Sequence, residues 1–327
     1  MEKFKAYRIF EEGGKTGGRF VELALDELDA GEVTIKNEYA SVNYKDALAA
    51  TGAGKVIRRF PCIGGIDAAG TVTASSDPRF KPGDAVAAHG LGLGVSHDGG
   101  YSQYVRAPGD WVVKLPDGIG VVDGATLGVA GFTAAQAIHV LESFGLKPAH
   151  GKVLVNGATG GCGSVAIDML SKIGYQVVAL TGKDSEHDYL KALGAAEVLS
   201  RNKLEMGKRP LEKTQWAAAF DSVGGEQLAW LTRTMQEGGL IASFGNAGGI
   251  ELHTTVLPFI LRGVCLIGIN SDCPRPLREA VWKRIAGDLR PRHLDRIRKL
   301  SKFDDLPGLF QQALKAQARG RSVVRIA

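Results

Sequence analysis

One octapeptide constrains this chain more than any other. GATGGCGS, from Gly157 to Ser164, sits about halfway along the 327 residues. The apolar Val153-Leu154-Val155 precedes it, and Val165, Ala166, Met169, Leu170 and Ile173 follow at helical spacing. The pattern reads as a strand that turns directly into a helix through glycines. Such a tight turn needs a positive φ at Gly157 or Gly160. Gly161 lets the backbone approach a pyrophosphate, and Gly163 lets the helix pack on the strand. Thr159, Gly160, Gly161, Cys162 and Gly163 then lie where free N–H groups and the helix dipole meet phosphates. A glycine-rich surface loop is the competing reading. The strand, the turn, the helix and the pattern beyond them all agree instead with a dinucleotide-binding turn.

That pattern is an alternation. Strands are expected at 152–156, 176–180, 197–199, 217–220, 240–244 and 264–269, with helices at 161–173 and 187–193. Strands alternating with helices imply a parallel, doubly wound α/β sheet of the Rossmann kind. Upstream the texture differs. Short alternating runs such as Glu32-Val33-Thr34-Ile35 and Ala85-Val86-Ala87-Ala88, and residues 101–105 and 111–115, are separated by Gly, Pro and Asp. Many short strands with glycine turns predict a small β-barrel. Near Asp123 an Ala- and Leu-rich helix begins, with Gly145 as its stop. Val323 and Val324 suggest a last strand returning to the first domain. The predicted organisation is a barrel domain over 1–122, a nucleotide domain over 123–290 and a C-terminal return over 291–327.

The end of the second strand of the nucleotide domain separates the two dinucleotides. An NAD site places Asp or Glu about 20 residues beyond the glycines, to bind the ribose 2′-hydroxyl. Here the strand ends in Thr181-Gly182-Lys183, with Asp184 the nearest carboxylate. A hydroxyl, a glycine and a cation suit a 2′-phosphate, so the expected cofactor is NADPH. Arg201, just after the third strand, offers a second cation.

Composition excludes several other classes. Glycine, at 44 of 327 residues, is about double its usual ~7% share and shows no collagen period. The net charge of +5 suits a small anionic ligand but is too modest to argue for nucleic acid. Cys62, Cys162, Cys265 and Cys273 form no closely spaced pair, so neither a zinc site nor a disulfide framework is expected. No run of about 18 uninterrupted apolar residues suggests a membrane span, and the N-terminus has no leader-like apolar region. The expected setting is cytoplasmic.

With these residues in view, the chain resembles the medium-chain dehydrogenases/reductases. It is most similar to their quinone-oxidoreductase-like branch and, within that, to the bacterial NADPH-dependent acrylyl-CoA reductases. The resemblance covers essentially the whole chain. It is carried by SVNYKDAL (Ser41 to Leu48), PCIGGIDAAG (Pro61 to Gly70), Gly131-Phe132-Thr133-Ala134, the glycine turn, TVLPFILR (Thr255 to Arg262) and Gly320-Arg321-Ser322. It implies a GroES-like barrel catalytic domain, a Rossmann nucleotide domain, a CoA thioester substrate and a homodimer. The apolar run at 264–269 is a candidate edge strand for that dimer. The zinc-dependent alcohol dehydrogenases carry Gly-His-Glu where this chain has Gly65-Ile66-Asp67, and their cysteine-rich lobe is missing. With no metal expected, simple alcohol oxidation gives way to reduction of a carbonyl-activated double bond.

Such a reduction sends hydride to the β-carbon and needs donors for the enolate oxygen and a proton for the α-carbon. Tyr44 is the first candidate, as proton donor or as the group positioning nicotinamide and substrate. In similar proteins its segment faces the cleft. Asn43 and Asp46 are further candidates, which could equally be turn-forming and supporting residues. Asn246 and Ser271, after later strands, could hold a carboxamide. A quinone or general enone reductase is the alternative activity. A regulatory protein that kept the fold and lost the chemistry is the alternative class. HGLGLGVSHDGG (His89 to Gly100) has glycine spacing but no helix after it and reads as a loop, with His89 and His97 not metal ligands. The basic run 290–302 reads as an amphipathic surface helix. Cys162 has no base partner and reads as a small filler.

Overall fold

The computed structural model describes residues 3–327. The first eight strands are β1 (Phe4–Glu12), β2 (Lys15–Leu23), β3 (Val33–Val42), β4 (Cys62–Ile63), β5 (Asp67–Ser75), β6 (Ala85–His89), β7 (Tyr104–Ala107) and β8 (Val112–Lys114). Helix α1 (Tyr44–Thr51) follows β3 directly, and α2 (Val121–Ser143) follows the set. Then β9 (Val153–Val155), α3 (Gly161–Lys172), β10 (Val177–Thr181), α4 (His187–Ala192), β11 (Glu197–Ser200) and β12 (Trp216–Asp221) alternate. They continue through α5 (Gly225–Thr234), β13 (Met235–Ser243), α6 (Leu257–Arg262), β14 (Cys265–Gly268) and α7 (Arg275–Ala286). The chain closes with α8 (Leu294–Ile297), β15 (Arg298–Lys302), α9 (Leu306–Leu314) and β16 (Arg321–Arg325).

Two compact units result. One holds the chain to Ala130, with Asp272–Arg275 and Leu294–Ala327; the other holds Gly131–Ser271 and Pro276–His293. The expected boundaries at 122/123 and 290/291 therefore shift. The reason lies in α2, which is broken at Gly128 (φ 45°, ψ −151°). The Val129 N–H donates to Asp67 Oδ1 at 2.6 Å, which ties the start of the next helical segment to the first unit. Asp272 likewise accepts from the Leu91 N–H at 2.7 Å, and Arg275 pairs with Asp110 at 3.2 Å.

The first unit is the expected barrel, made of a three-stranded sheet (β2-β1-β4) and a seven-stranded one. In the larger sheet β3 is the hub, pairing antiparallel with β5, β7 and β16. The predicted return strand is thus β16, in register from Ser322 opposite Val42 to Arg325 opposite Tyr39. Its core centres on Tyr7, Tyr101 and Phe310, with Phe310 reaching both tyrosines at 5.7 Å between ring centroids. The basic run 290–302 is not one helix. Four residues form α8, and Arg298 to Lys302 pair parallel with β16. Arg-Ile-Arg-Lys-Leu-Ser-Lys satisfies a strand period as well as a helical one, and the open edge of β16 decides it.

The second unit is one parallel six-stranded sheet, in the order β11-β10-β9-β12-β13-β14. Its central strands are buried along their whole length, as strands covered on both faces must be. Leu154, Val178, Leu180, Trp216, Trp230 and Ile241 fill its core. Helix α2 is long and apolar enough to cross a membrane by composition alone, but its most apolar window is 83% buried, as in a core helix.

Candidate active site

In the second unit the glycine turn joins β9 to α3 as expected. Gly157 takes the positive φ (55°), while Gly160 has φ −77°, so the left-handed residue is the first of the two. A Cβ on Gly163 would lie 2.6 Å from the Gly157 carbonyl oxygen and 2.8 Å from Ala158 Cα, so only glycine lets α3 seat this closely. Gly160 is the N-cap of α3, and Thr159, Gly161 and Cys162 complete the turn. The Ala158 N–H donates to Leu180 O at 3.3 Å, placing the turn beside the end of β10.

That strand end is where the second set of predicted residues gathers. Thr181 Oγ1 accepts from the Lys183 N–H at 3.0 Å. The Arg201 guanidinium lies against Gly182, where an added Cβ would meet its Nη2 at 2.6 Å. Lys183 is half-buried, and burial lowers the pKa of its ammonium against the raising effect of Glu186. Asp184 keeps its carboxyl below the usual range through Ser200 and Asn202 beside it. Two cations therefore flank Gly182, and the nearest acid is engaged elsewhere. Asn246 and Ser271 follow β13 and β14, and neither side chain bonds to another described residue.

The first unit carries a different site. Tyr44 opens α1, is 41% exposed, and its hydroxyl has no partner among the described residues. Asn43 caps the helix, and its backbone N–H donates to Asp46 Oδ2 at 2.8 Å. The Asn43 amide also donates to Asp46 Oδ2 at 2.9 Å and to Asp67 Oδ2 at 2.8 Å. Buried Asp46 accepts the Ile66 N–H at 2.9 Å. Burial first, and then the Asp67 charge, push its carboxyl up to about 6.

Sequence reading assigned no role to Asp67 or Arg321, yet they form the core of this cluster. Asp67 Oδ2 accepts from Ser41 Oγ, from Asn43 Nδ2 and from Arg321 Nη2 at 3.0 Å. Its Oδ1 takes the Val129 N–H already described. Arg321 also donates to Asn43 Oδ1 at 2.7 Å, to Thr126 O at 3.0 Å and to Ser41 Oγ. Asp67, Asp46 and Arg321 are at most 2% exposed. His97 stays apart from it, using both ring nitrogens on Asp98 O and Ala30 O at 3.0 Å, whereas His89, buried at the end of β6, lies directly opposite Asp67 in the β5–β6 pairing.

Residues 29–117 match the alcohol dehydrogenase GroES-like domain, and residues 161–286 match the zinc-binding dehydrogenase domain. Acrylyl-CoA reductase AcuI of Ruegeria pomeroyi is 46% identical over 318 residues, 97% of this chain and 96% of that protein. The chain belongs to the medium-chain dehydrogenase/reductase family. Bacillus subtilis YhfP, whose name places it provisionally among quinone oxidoreductases, is 48% identical over 308 residues, 93% of each chain. A crystal structure of the Salmonella enterica yhdH oxidoreductase in complex with NADP superposes with a TM-score of 0.94. It is 44% identical, with 99% of this chain and 100% of that one covered.

Zinc, which the second domain description implies, does not fit this reductase. Ile66 stands where a histidine ligand would be, and Asp67 is saturated by donors and by the Arg321 cation. Among the described residues no group of three His, Cys, Asp or Glu side chains converges on a point. An arginine thus provides the positive charge at Asp67.

Proposed function

We propose that this protein is an NADPH-dependent reductase of carbonyl-activated double bonds, with acrylyl-CoA as substrate and propionyl-CoA as product. The observation that carries the cofactor half is the pair Lys183 and Arg201 around Gly182, beside a turn shaped for pyrophosphate. The bound dinucleotide supplies the hydride. The chain's own residues do the rest. Thr159 to Gly163 and the α3 dipole hold the pyrophosphate, and Thr181, Gly182, Lys183 and Arg201 hold the 2′-phosphate. Asn246 and Ser271 offer an amide and a hydroxyl to the carboxamide. Tyr44, with a free hydroxyl on a rigid helix start, donates to the developing enolate or positions the reacting groups. Asn43 and Asp46 set the entry of that helix.

The substrate half rests on likeness to AcuI over 97% of the chain. Likeness to YhfP supports a second reading, a quinone reductase with the same cofactor chemistry. NADPH oxidation against acrylyl-CoA, crotonyl-type thioesters and quinones separates them. We expect fastest turnover with acrylyl-CoA, NADPH preferred over NADH, and a Tyr44→Phe variant slowed about 10²-fold or more. Faster turnover of quinones would replace the substrate, a preference for NADH would remove Lys183 and Arg201, and an unslowed Tyr44→Phe would remove the tyrosine. The reading places the enzyme in the cytoplasm as a homodimer joined through the β14 edge, where α6 exposes Ile260 and Leu261. A monomer in light scattering would contradict the last point.

A further inference from the structure

The carboxyl edge of the parallel sheet holds a carboxylate that this reading leaves unused. Asp221 ends β12 and is fully buried. Its Oδ1 accepts from Asn156 Nδ2 at 2.5 Å and from the Val223 and Gly224 N–H groups at 3.2 and 3.1 Å. Its Oδ2 accepts from the Gly224 N–H and from Ser243 Oγ, both at 3.2 Å. Asn156, equally buried, accepts the Ser222 N–H at 2.8 Å, and Ser222 Oγ donates to Asn156 O at 3.2 Å. One carboxylate therefore ties together the ends of β9, β12 and β13.

Two further facts give this knot meaning. The chain runs from β9 outward to β10 and β11, then returns to β12 on the other side of β9. The Asn156–Asp221 bond therefore spans the point where the strand order reverses, and ligands of such sheets lie in the crevice outside that point. Among the described residues Asp221 also has no cationic partner: its hydrogen bonds come from an amide, backbone N–H groups and one hydroxyl. Dipoles satisfy its hydrogen bonds without cancelling its charge, so its field reaches the crevice through a medium of low dielectric.

We propose that Asp221 is a positioning residue for the dinucleotide: it fixes the crevice floor through Asn156 and the Ser222 loop, and it favours oxidised over reduced nicotinamide. The proposal rests on the dinucleotide part of the reading above and not on the substrate. Giving up a hydride leaves the nicotinamide ring with one positive charge. A fixed negative charge near the crevice stabilises that form relative to the neutral reduced one.

Asp221→Asn removes the charge and keeps the shape. Its amide oxygen can still accept from Asn156 and the backbone, and its NH₂ can donate to Ser243 Oγ. Titration of the whole protein with NADP⁺ and with NADPH, followed by intrinsic fluorescence, gives the two Kd values without turnover. We expect the ratio Kd(NADP⁺)/Kd(NADPH) to rise about five- to tenfold, where tenfold corresponds to about 30 mV for a two-electron couple. An unchanged ratio overturns the electrostatic role. Should that variant not fold, Ser243→Lys sets an ammonium beside the same carboxylate and must raise the ratio as well. Asn156→Ala should weaken both dinucleotides together at constant ratio, and unaltered Kd values there would overturn the positioning role. A wild-type protein that titrates normally but reduces no enoyl thioester would sink the substrate reading alone.

Discussion

Asp67 in the first unit and Asp221 in the second are the same residue type, equally buried, each at a strand end and each saturated with donors. They differ in what saturates them. Asp67 shares its pocket with a second carboxylate, Asp46, and with the buried cation Arg321. Asp221 is hydrogen-bonded, among the described residues, by neutral dipoles alone. The first arrangement cancels charge locally and spends its bonds on geometry, fixing Asn43, the start of α1 and the break in α2. The second brings no opposite charge to the carboxylate, and the proposed role at the crevice depends on that. Burial alone therefore says little about what a carboxylate does; the kind of donor decides.

The largest expected effect follows from removing the cation. Arg321→Met would leave Asp67 and Asp46 buried with no opposite charge, a change that costs about 3–5 kcal/mol in comparable buried pairs. Urea unfolding measures it. A loss below about 1 kcal/mol would break the comparison, because Asp67 would then be held by dipoles just as Asp221 is.

The two sites were unequally legible in the sequence. The glycine turn could be read because its chemistry is local: Gly157, Gly163 and the Thr181-Gly182-Lys183 end each answer to neighbours a few residues away or on the adjacent strand. The Asp67–Arg321 pair could not, since it joins positions 254 residues apart, and nothing in Gly320-Arg321-Ser322 announces a buried guanidinium. The only local trace was Gly65-Ile66-Asp67, legible as a missing metal motif but silent about its replacement. Asp221 left a fainter sign, an acid closing the apolar run Trp216 to Phe220. The break at Gly128 was hidden in an Ala- and Leu-rich stretch whose composition is helical throughout. The strand β15 was misread because its cations and aliphatics fit two periods, and only the partner strand β16 chooses between them.

A smaller effect distinguishes the sites by pH. Asp46 is pushed up to about 6 from an ordinary 3.8, so the folded chain holds this proton more tightly than the unfolded one. Its contribution to stability is fully present below about pH 4 and is lost as pH rises through about 6, a change of about 2–3 kcal/mol. Asp46→Asn cannot titrate. Its stability relative to the wild type should therefore improve by that amount between pH 4 and pH 7 in paired urea titrations. A constant difference across that range would mean that neither burial nor the Asp67 charge burdens Asp46, and the contrast with Asp221 would rest on Arg321 alone.

The smallest effects compare how the two units use glycine. Gly163 in α3 has backbone where a Cβ would go, 2.6 Å from the Gly157 oxygen, whereas Gly308 in α9 has nothing within 4 Å. Gly163→Ala must push helix and turn apart, costing about 1–3 kcal/mol and weakening NADPH binding with it. Gly308→Ala meets open space in an exposed helical turn. It should stabilise by up to about 1 kcal/mol through helix propensity and leave cofactor affinity unchanged. Thermal melts with and without NADPH test both. Were Gly163→Ala to bind NADPH as the wild type does, close seating of α3 would not be what shapes the turn. The phosphate site would then depend on Gly157 and its contact with Ser222, the same loop that Asp221 holds.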